Sequence, residues 1–192
     1  PEYTQGRYRL AEILLTRGDL AGANAEIDGA LKRDPHDRQA LQLRARMRIQ
    51  SGQVDELKAA IEDLKEVLRQ EPNSQTGLYF MAQANFNLGL IDQAIAFASD
   101  LERNYPDFLP AKLIQVQITL ASGDAKQAAS LASDLVNRLD KMAPDRTSSP
   151  QLLIEIKQKT HLAKGSAELQ LGDLAGARKD FEMARDTAPN EP

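Results

Sequence analysis

Few side chains in this sequence could do chemistry. There are two histidines and no cysteine. Without cysteine there are no disulfides, thiolate zinc sites or cysteine nucleophiles. His161 falls at a core-like position eleven residues before Gly172 and reads as a packed histidine rather than a base. His36 follows Pro35 and reads as an exposed turn residue beside Asp34. Glu62, Asp63 and Glu66 read as a solvated helix face with Lys58–Glu62 as an i,i+4 pair. No Gly-rich phosphate loop, paired-histidine metal motif or nucleophile elbow is present. The sequence therefore points to no catalytic residue, no metal and no cofactor.

Bulk properties narrow the choice further. The net charge is −4 and the isoelectric point near 5.3, which argues against nucleic acid or an anionic membrane as the main partner. Apolar residues make up 42% and charged residues 27%, as in an ordinary folded domain. Aromatics at 5% leave the core to Ala, Leu and Ile, and Ala and Leu favour helix over strand. No apolar run approaches the roughly 18 residues of a membrane span, and no signal peptide is visible. A start at Pro1 suggests residues upstream, so the compartment, cytoplasmic or periplasmic, is not readable.

The elements that position these side chains repeat. Gly18, Gly52, Gly89, Gly123 and Gly172 each follow an apolar helical stretch, at spacings of 34, 37, 34 and 49. Pro35, Pro72 and Pro106 are spaced by 37 and 34, and Asp140 stands 34 residues further on. Pro189 ends the series. A glycine there suits a helix C-cap, and Asp after Gly18, Gly123 and Gly172 suits the next N-cap. A proline then ends the second helix. Each unit reads as helix, turn, helix, turn. Predicted helices span 4–17, 20–33, 37–51, 54–70, 74–88, 91–104, 108–122, 124–141, 150–171 and 174–187. The repeats lie near 4–37, 38–74, 75–108, 109–141 and 150–191, with an irregular loop at 142–149. Ser149-Pro150 marks a helix start.

Packing markers agree with this register. Ala11, Ala45, Ala82 and Gly165 in first helices, and Ala23, Ala60, Ala94, Ala128 and Ala177 in second helices, stand where helices must cross closely. Ile27, Ala30, Leu64, Val67, Ala98, Leu101, Ala132, Leu135, Phe181 and Ala184 follow as core positions. Residues 41–49 alternate apolar and polar like a strand, but a strand would break the array between two hairpins. Arg44 and Arg48 occupy core-like positions there; snorkelling to water is the preferred reading, with buried pairing to an acid or a ligand contact as alternatives. The fifth first helix overhangs its neighbours, and Leu152, Leu153, Ile154 and Ile156 need cover, from the long helix ending near Met142 or from a partner.

This combination resembles the tetratricopeptide repeat family over nearly the whole chain. The resemblance implies an all-α, right-handed superhelical solenoid of about five helical hairpins, with a concave groove that holds another protein or peptide. The matching groove positions are Tyr8, Glu12 and Leu15; Gln42, Arg46 and Ile49; Tyr79, Gln83 and Phe86; Leu113, Gln117 and Leu120; and Leu162, Ser166 and Leu169 in the fifth unit. Tyr8, Tyr79 and Phe86 are the expected anchors, although the apolar last positions could instead pack on adjacent hairpins. Repeats that clamp heat-shock carboxylates need Lys, Asn and Arg where this chain has Tyr8, Glu12, Leu43, Thr76 and Phe80, so that specialisation is not supported.

A non-catalytic scaffold is the leading expectation. A spacer or self-assembly segment joined through uncapped ends, and a substrate-presenting part of a cell-envelope export or exopolysaccharide system, are the alternatives. The sextet Gly-Asp-Leu-Ala-Gly-Ala, at 18–23 and 172–177, has a bacterial style and fits a fragment of a longer protein.

Overall fold

The computed structural model describes residues 2–142 and 150–187, with side chains from Gln5 onward. The loop after Met142 with its Ser149 cap, and Pro189, lie outside the described residues. Among those residues there are ten helices and no strand. They are α1 (Glu2–Thr16), α2 (Leu20–Leu31), α3 (Arg38–Ser51), α4 (Val54–Gln70), α5 (Gln75–Asn87), α6 (Ile91–Asn104), α7 (Leu109–Ala121), α8 (Ala125–Lys141), α9 (Pro150–Gln170) and α10 (Leu174–Thr187). The alternating stretch 41–49 lies inside α3.

The punctuation works as its chemistry requires. Gly52 closes α3 at φ 66°, a left-handed conformation that a Cβ would strain, and the other four repeat glycines are also positive. The carboxylates of Asp19, Asp124 and Asp173 each accept from a backbone N–H three residues on, at 2.9 Å. Helix α8 runs on through Asp140, where no proline stops it.

The chain forms two compact units, residues 1–104 and 105–192. In the first, α1–α2, α3–α4 and α5–α6 are antiparallel hairpins, and each first helix packs on the preceding hairpin. In the second, α7–α8 and α9–α10 pair, and α9 packs on both α7 and α8.

Alanines make the crossings. Ala11, Ala23, Ala45, Ala60, Ala82, Ala94 and Ala128 are all 0% exposed. Between them lie Ile27, Leu57, Leu64 and Leu101, each contributing about 1.5–3 kcal/mol on full burial. The core position four residues past the crossing alanine is covered by the next first helix: Ile27 by Leu41 and Leu43, Leu64 by Met81 and Ala84, and Ala132 by Ala163. Its counterpart in α10 departs from the expected core. Phe181 is 36% exposed, its ring lying against Gly165, where an added Cβ would sit 2.8 Å from it.

Helix α9 has 21 residues against 13 in α7, and the overhang is partly covered. Ile156 and Leu153 pack with Leu135, Leu139 and Met142 of the α8 segment, as the packing alternative required. Leu152 and Ile154 stay exposed.

Candidate functional site

Within the first unit, the candidate face is carried by α1, α3 and α5. Six residues before each closing glycine stand Glu12, Arg46 and Gln83; Glu12 is exposed, and Arg46 and Gln83 are half-buried. Tyr79 and Phe86 of α5 are also half-buried, with the Tyr79 and Phe80 rings 5.4 Å apart at 47°. The face thus offers one acid, one cation, one amide and two aromatic surfaces.

Other expected groove residues are elsewhere. Tyr8 is 5% exposed and does not face a groove. Its hydroxyl donates to Asp37 Oδ2, while Asp37 Oδ1 caps α3 by accepting from the Ala40 N–H at 2.9 Å. Burial first, then the Asp37 carboxylate, pushes the phenol above its ordinary pKa. Gln42, ten residues before its glycine as Tyr8 is, does the same work. Its amide donates to Ser74 Oγ at 3.2 Å, and Ser74 Oγ caps α5 by accepting from Gly77 N–H at 3.3 Å. Ile49 is 5% exposed inside the α3–α4–α5 core, and Leu15 packs on the cluster around Tyr8. These two apolar last positions follow the packing alternative, because the next hairpin takes them.

In the second unit, Leu113 is buried with Ile156, and Leu120 packs on Ala125, Ala128 and Ala167. Gln117 is half-buried. Leu162 and Leu169 are exposed, and the Ser166 hydroxyl donates to the Leu162 carbonyl at 2.8 Å. A cavity of about 420 Å³ lies beside Leu169, Leu174, Ala177 and Phe181, rimmed by Arg178, Glu182 and Arg185.

Two ionic clusters are built around buried aspartates, and at the first the buried-pairing alternative for Arg44 and Arg48 holds. Arg44 and Arg48 do not snorkel. Asp63, 6% exposed and no part of a solvated face, accepts from Arg44 Nε at 2.9 Å, Arg44 Nη2 at 2.7 Å and Arg48 Nη1 at 2.6 Å. In α9–α10, Asp180 meets His161 Nδ1 at 2.6 Å and Lys164 Nζ at 2.6 Å, and Lys164 reaches Glu168 at 3.1 Å. His161 is buried as expected, but against a carboxylate. Both aspartates stand three residues past the crossing alanine, Ala60 or Ala177. Arg7–Glu26 repeats the device at the same register past Ala23, at 3.3 Å. Repeat alignment carries the signal: Arg7–Glu26, Arg44–Asp63 and His161–Asp180 are all 19 residues apart.

At the surface, His36 is exposed and meets Glu66 at 3.0 Å. Hydrogen bonds from Arg69 and then Gln70 hold the Glu66 carboxyl down to about 2. Glu62 pairs with Lys65 at 2.7 Å rather than with Lys58. Among the described residues no three His, Asp or Glu side chains gather as a metal-binding group, and no helix is long and apolar enough to cross a membrane.

Comparison with known proteins places this geometry. Two family models, each described as Tetratricopeptide repeat, match residues 8–56 and 49–116. No curated protein matches the sequence. Among solved structures, a thermophilic TPR protein in Thermus thermophilus is 23% identical, with a TM-score of 0.74 over 98% of this chain and 93% of that one. MamA is 20% identical, with a TM-score of 0.62 over 98% and 93%. YrrB, a TPR protein with an unusual peptide-binding site, is 14% identical, with a TM-score of 0.61 over 96% and 86%. At these identities the likeness shows the fold.

Proposed function

From the premise that the chain belongs to the tetratricopeptide repeat family, whose fold serves protein–protein interaction, we propose that it is a non-catalytic scaffold holding a protein or peptide segment on its first-helix face. The observation that carries this reading is the half-buried set on α3 and α5: Arg46, Tyr79, Gln83 and Phe86. Such residues combine rigid ring area with polar groups that fix register, as binding hot spots do. The buried neighbours Tyr8 and Ile49, with the half-buried Gln42, lock the helices that present them. In the second unit, Gln117 with exposed Leu162 and Leu169 forms a further stretch of the same kind.

The test is selection of displayed peptides on the chain, followed by affinity measurement on Tyr79→Ala. The expected result is an unchanged helical spectrum with binding weakened at least tenfold, about 1.4 kcal/mol. Unaltered affinity would sink the assignment.

A second reading, a structural segment in a larger helical assembly, is favoured by the open ring of Phe181. The equivalent residues Ile27, Leu64 and Ala132 are each covered by a following helix. Phe181→Glu should abolish any concentration-dependent association in sedimentation if that face is used; association that survives the change rejects it.

A further inference from the structure

We propose that the α1–α3 stretch of this face selects an extended segment carrying a basic and an acidic side chain about three residues apart, the acid on Arg46 and the base on Glu12. The inference rests on the reading of the face as a binding surface.

Arg46 differs from the other half-buried arginines. Arg7, Arg44 and Arg48 each meet an acid within 3.3 Å. Arg46, among the described residues, has no ion pair and no side-chain hydrogen bond. The residue is half-buried, and its guanidinium, a planar fork suited to a carboxylate, meets no anion among the described residues. Glu12 on the neighbouring helix is also without a side-chain partner among the described residues. The two stand at the same level, six residues before Gly18 and Gly52, yet do not pair. Adjacent packed helices lie roughly 8–10 Å apart, and an extended chain rises about 3.3 Å per residue, which sets the spacing at about three residues. A polyanion such as a nucleic acid would satisfy Arg46 and be repelled by Glu12. A segment with one charge of each sign satisfies both, and the Gln83 amide at the same level on α5 can bond its backbone.

The experiment uses the whole 192-residue chain and fluorescein-labelled peptides of one Ser-Ala-Leu background, differing only at two positions. The pairs are Lys-x-x-Glu, Glu-x-x-Glu, Lys-x-x-Lys and a neutral control. The wild-type chain should favour Lys-x-x-Glu by about fivefold or more. Arg46→Glu should shift the preference to Lys-x-x-Lys, Glu12→Arg should shift it to Glu-x-x-Glu, and the double variant, whose two charges are exchanged, should prefer a further peptide of reversed order, Glu-x-x-Lys. Arg46→Gln, a milder change, should erase the preference for an acid and guards against a misfolded charge reversal. Peptides that bind, respond to Phe86→Ala, and ignore every charge change would overturn this inference and leave the groove reading standing. Binding that ignores Phe86→Ala as well, or no binding by any peptide, would overturn both.

Discussion

Hairpins α3–α4 and α9–α10 each bury an aspartate at the same register, and they hold it with different cations. Asp63 is gripped by two guanidinium groups, Arg44 and Arg48. Asp180 is gripped by an imidazole and an ammonium, His161 and Lys164, with the Glu168 carboxylate beside them. The cations of the first cluster are guanidiniums, which stay charged across ordinary pH, whereas Lys164 in the second is an ammonium that can lose its proton. The difference shows that one packing position can be filled by a fixed ionic clamp or by a titratable one without changing the hairpin.

The largest expected contrast comes from removing the acid. Asp63→Ala strands the Arg44 guanidinium and leaves Arg48 only Glu56 at 3.3 Å, and should cost about 2–3 kcal/mol, less than a fully enclosed pair because both guanidiniums keep about a quarter of their exposure. Asp180→Ala should cost less, about 1–2 kcal/mol, because Lys164 keeps the half-buried Glu168 at 3.1 Å, a closer and better covered acid than the Glu56 left to Arg48. Denaturant melts of the two variants would measure this, and equal losses would break the comparison.

Alkaline pH should separate the hairpins next. Burial works against the Lys164 ammonium, but hydrogen bonds to Asp180 and Glu168 outweigh it and raise its pKa above 10.5. A raised cation stabilises the fold fully below the unfolded value and loses that contribution as pH rises through the folded one. Amide exchange in α9–α10 should therefore quicken above about pH 10.5 while α3–α4 holds, since hydrogen bonds to Asp63 raise the Arg44 pKa further. Lys164→Arg should remove that sensitivity; if it persists, the ammonium is not its source.

The smallest effect should be at Glu168. Burial first, then the nearby Asp180 charge, raises its carboxyl above the ordinary value, so ionised Glu168 weakens the fold as pH rises through its folded pKa. Glu168→Gln should be neutral or slightly stabilising at pH 7 and should flatten the melting temperature between pH 4 and 7. A clear loss at pH 7 would show that its bond to Lys164 dominates instead.

These clusters also mark where the sequence was opaque. Glycine, aspartate and proline act on their own backbone neighbourhood, so the bounds of α4, α6 and α10 were legible to the residue. Arg44 was misread because its partner lies 19 residues away on another helix, and local periodicity shows a cation in a core register but not the acid that accepts it. Tyr8 was misread for a similar reason. Its side chain lies at a groove register, yet the cap of α3 takes its hydroxyl. Glu12 is exposed and Arg46 and Gln83 are half-buried, and no distant side chain competes for them among the described residues.

The links from Tyr8 to Asp37 and from Gln42 to Ser74 divide labour between adjacent columns of the repeat. In the first unit Tyr8 and Gln42, ten residues before Gly18 and Gly52, each fasten a first helix to the cap of the next, whereas Glu12 and Arg46, four residues later, make no such link among the described residues. Over evolutionary time, a lineage could exchange Glu12, Arg46 or Gln83 and acquire a new partner without loosening the joints. A change at Tyr8 or Gln42 would be filtered as a folding defect before its effect on recognition was ever tried.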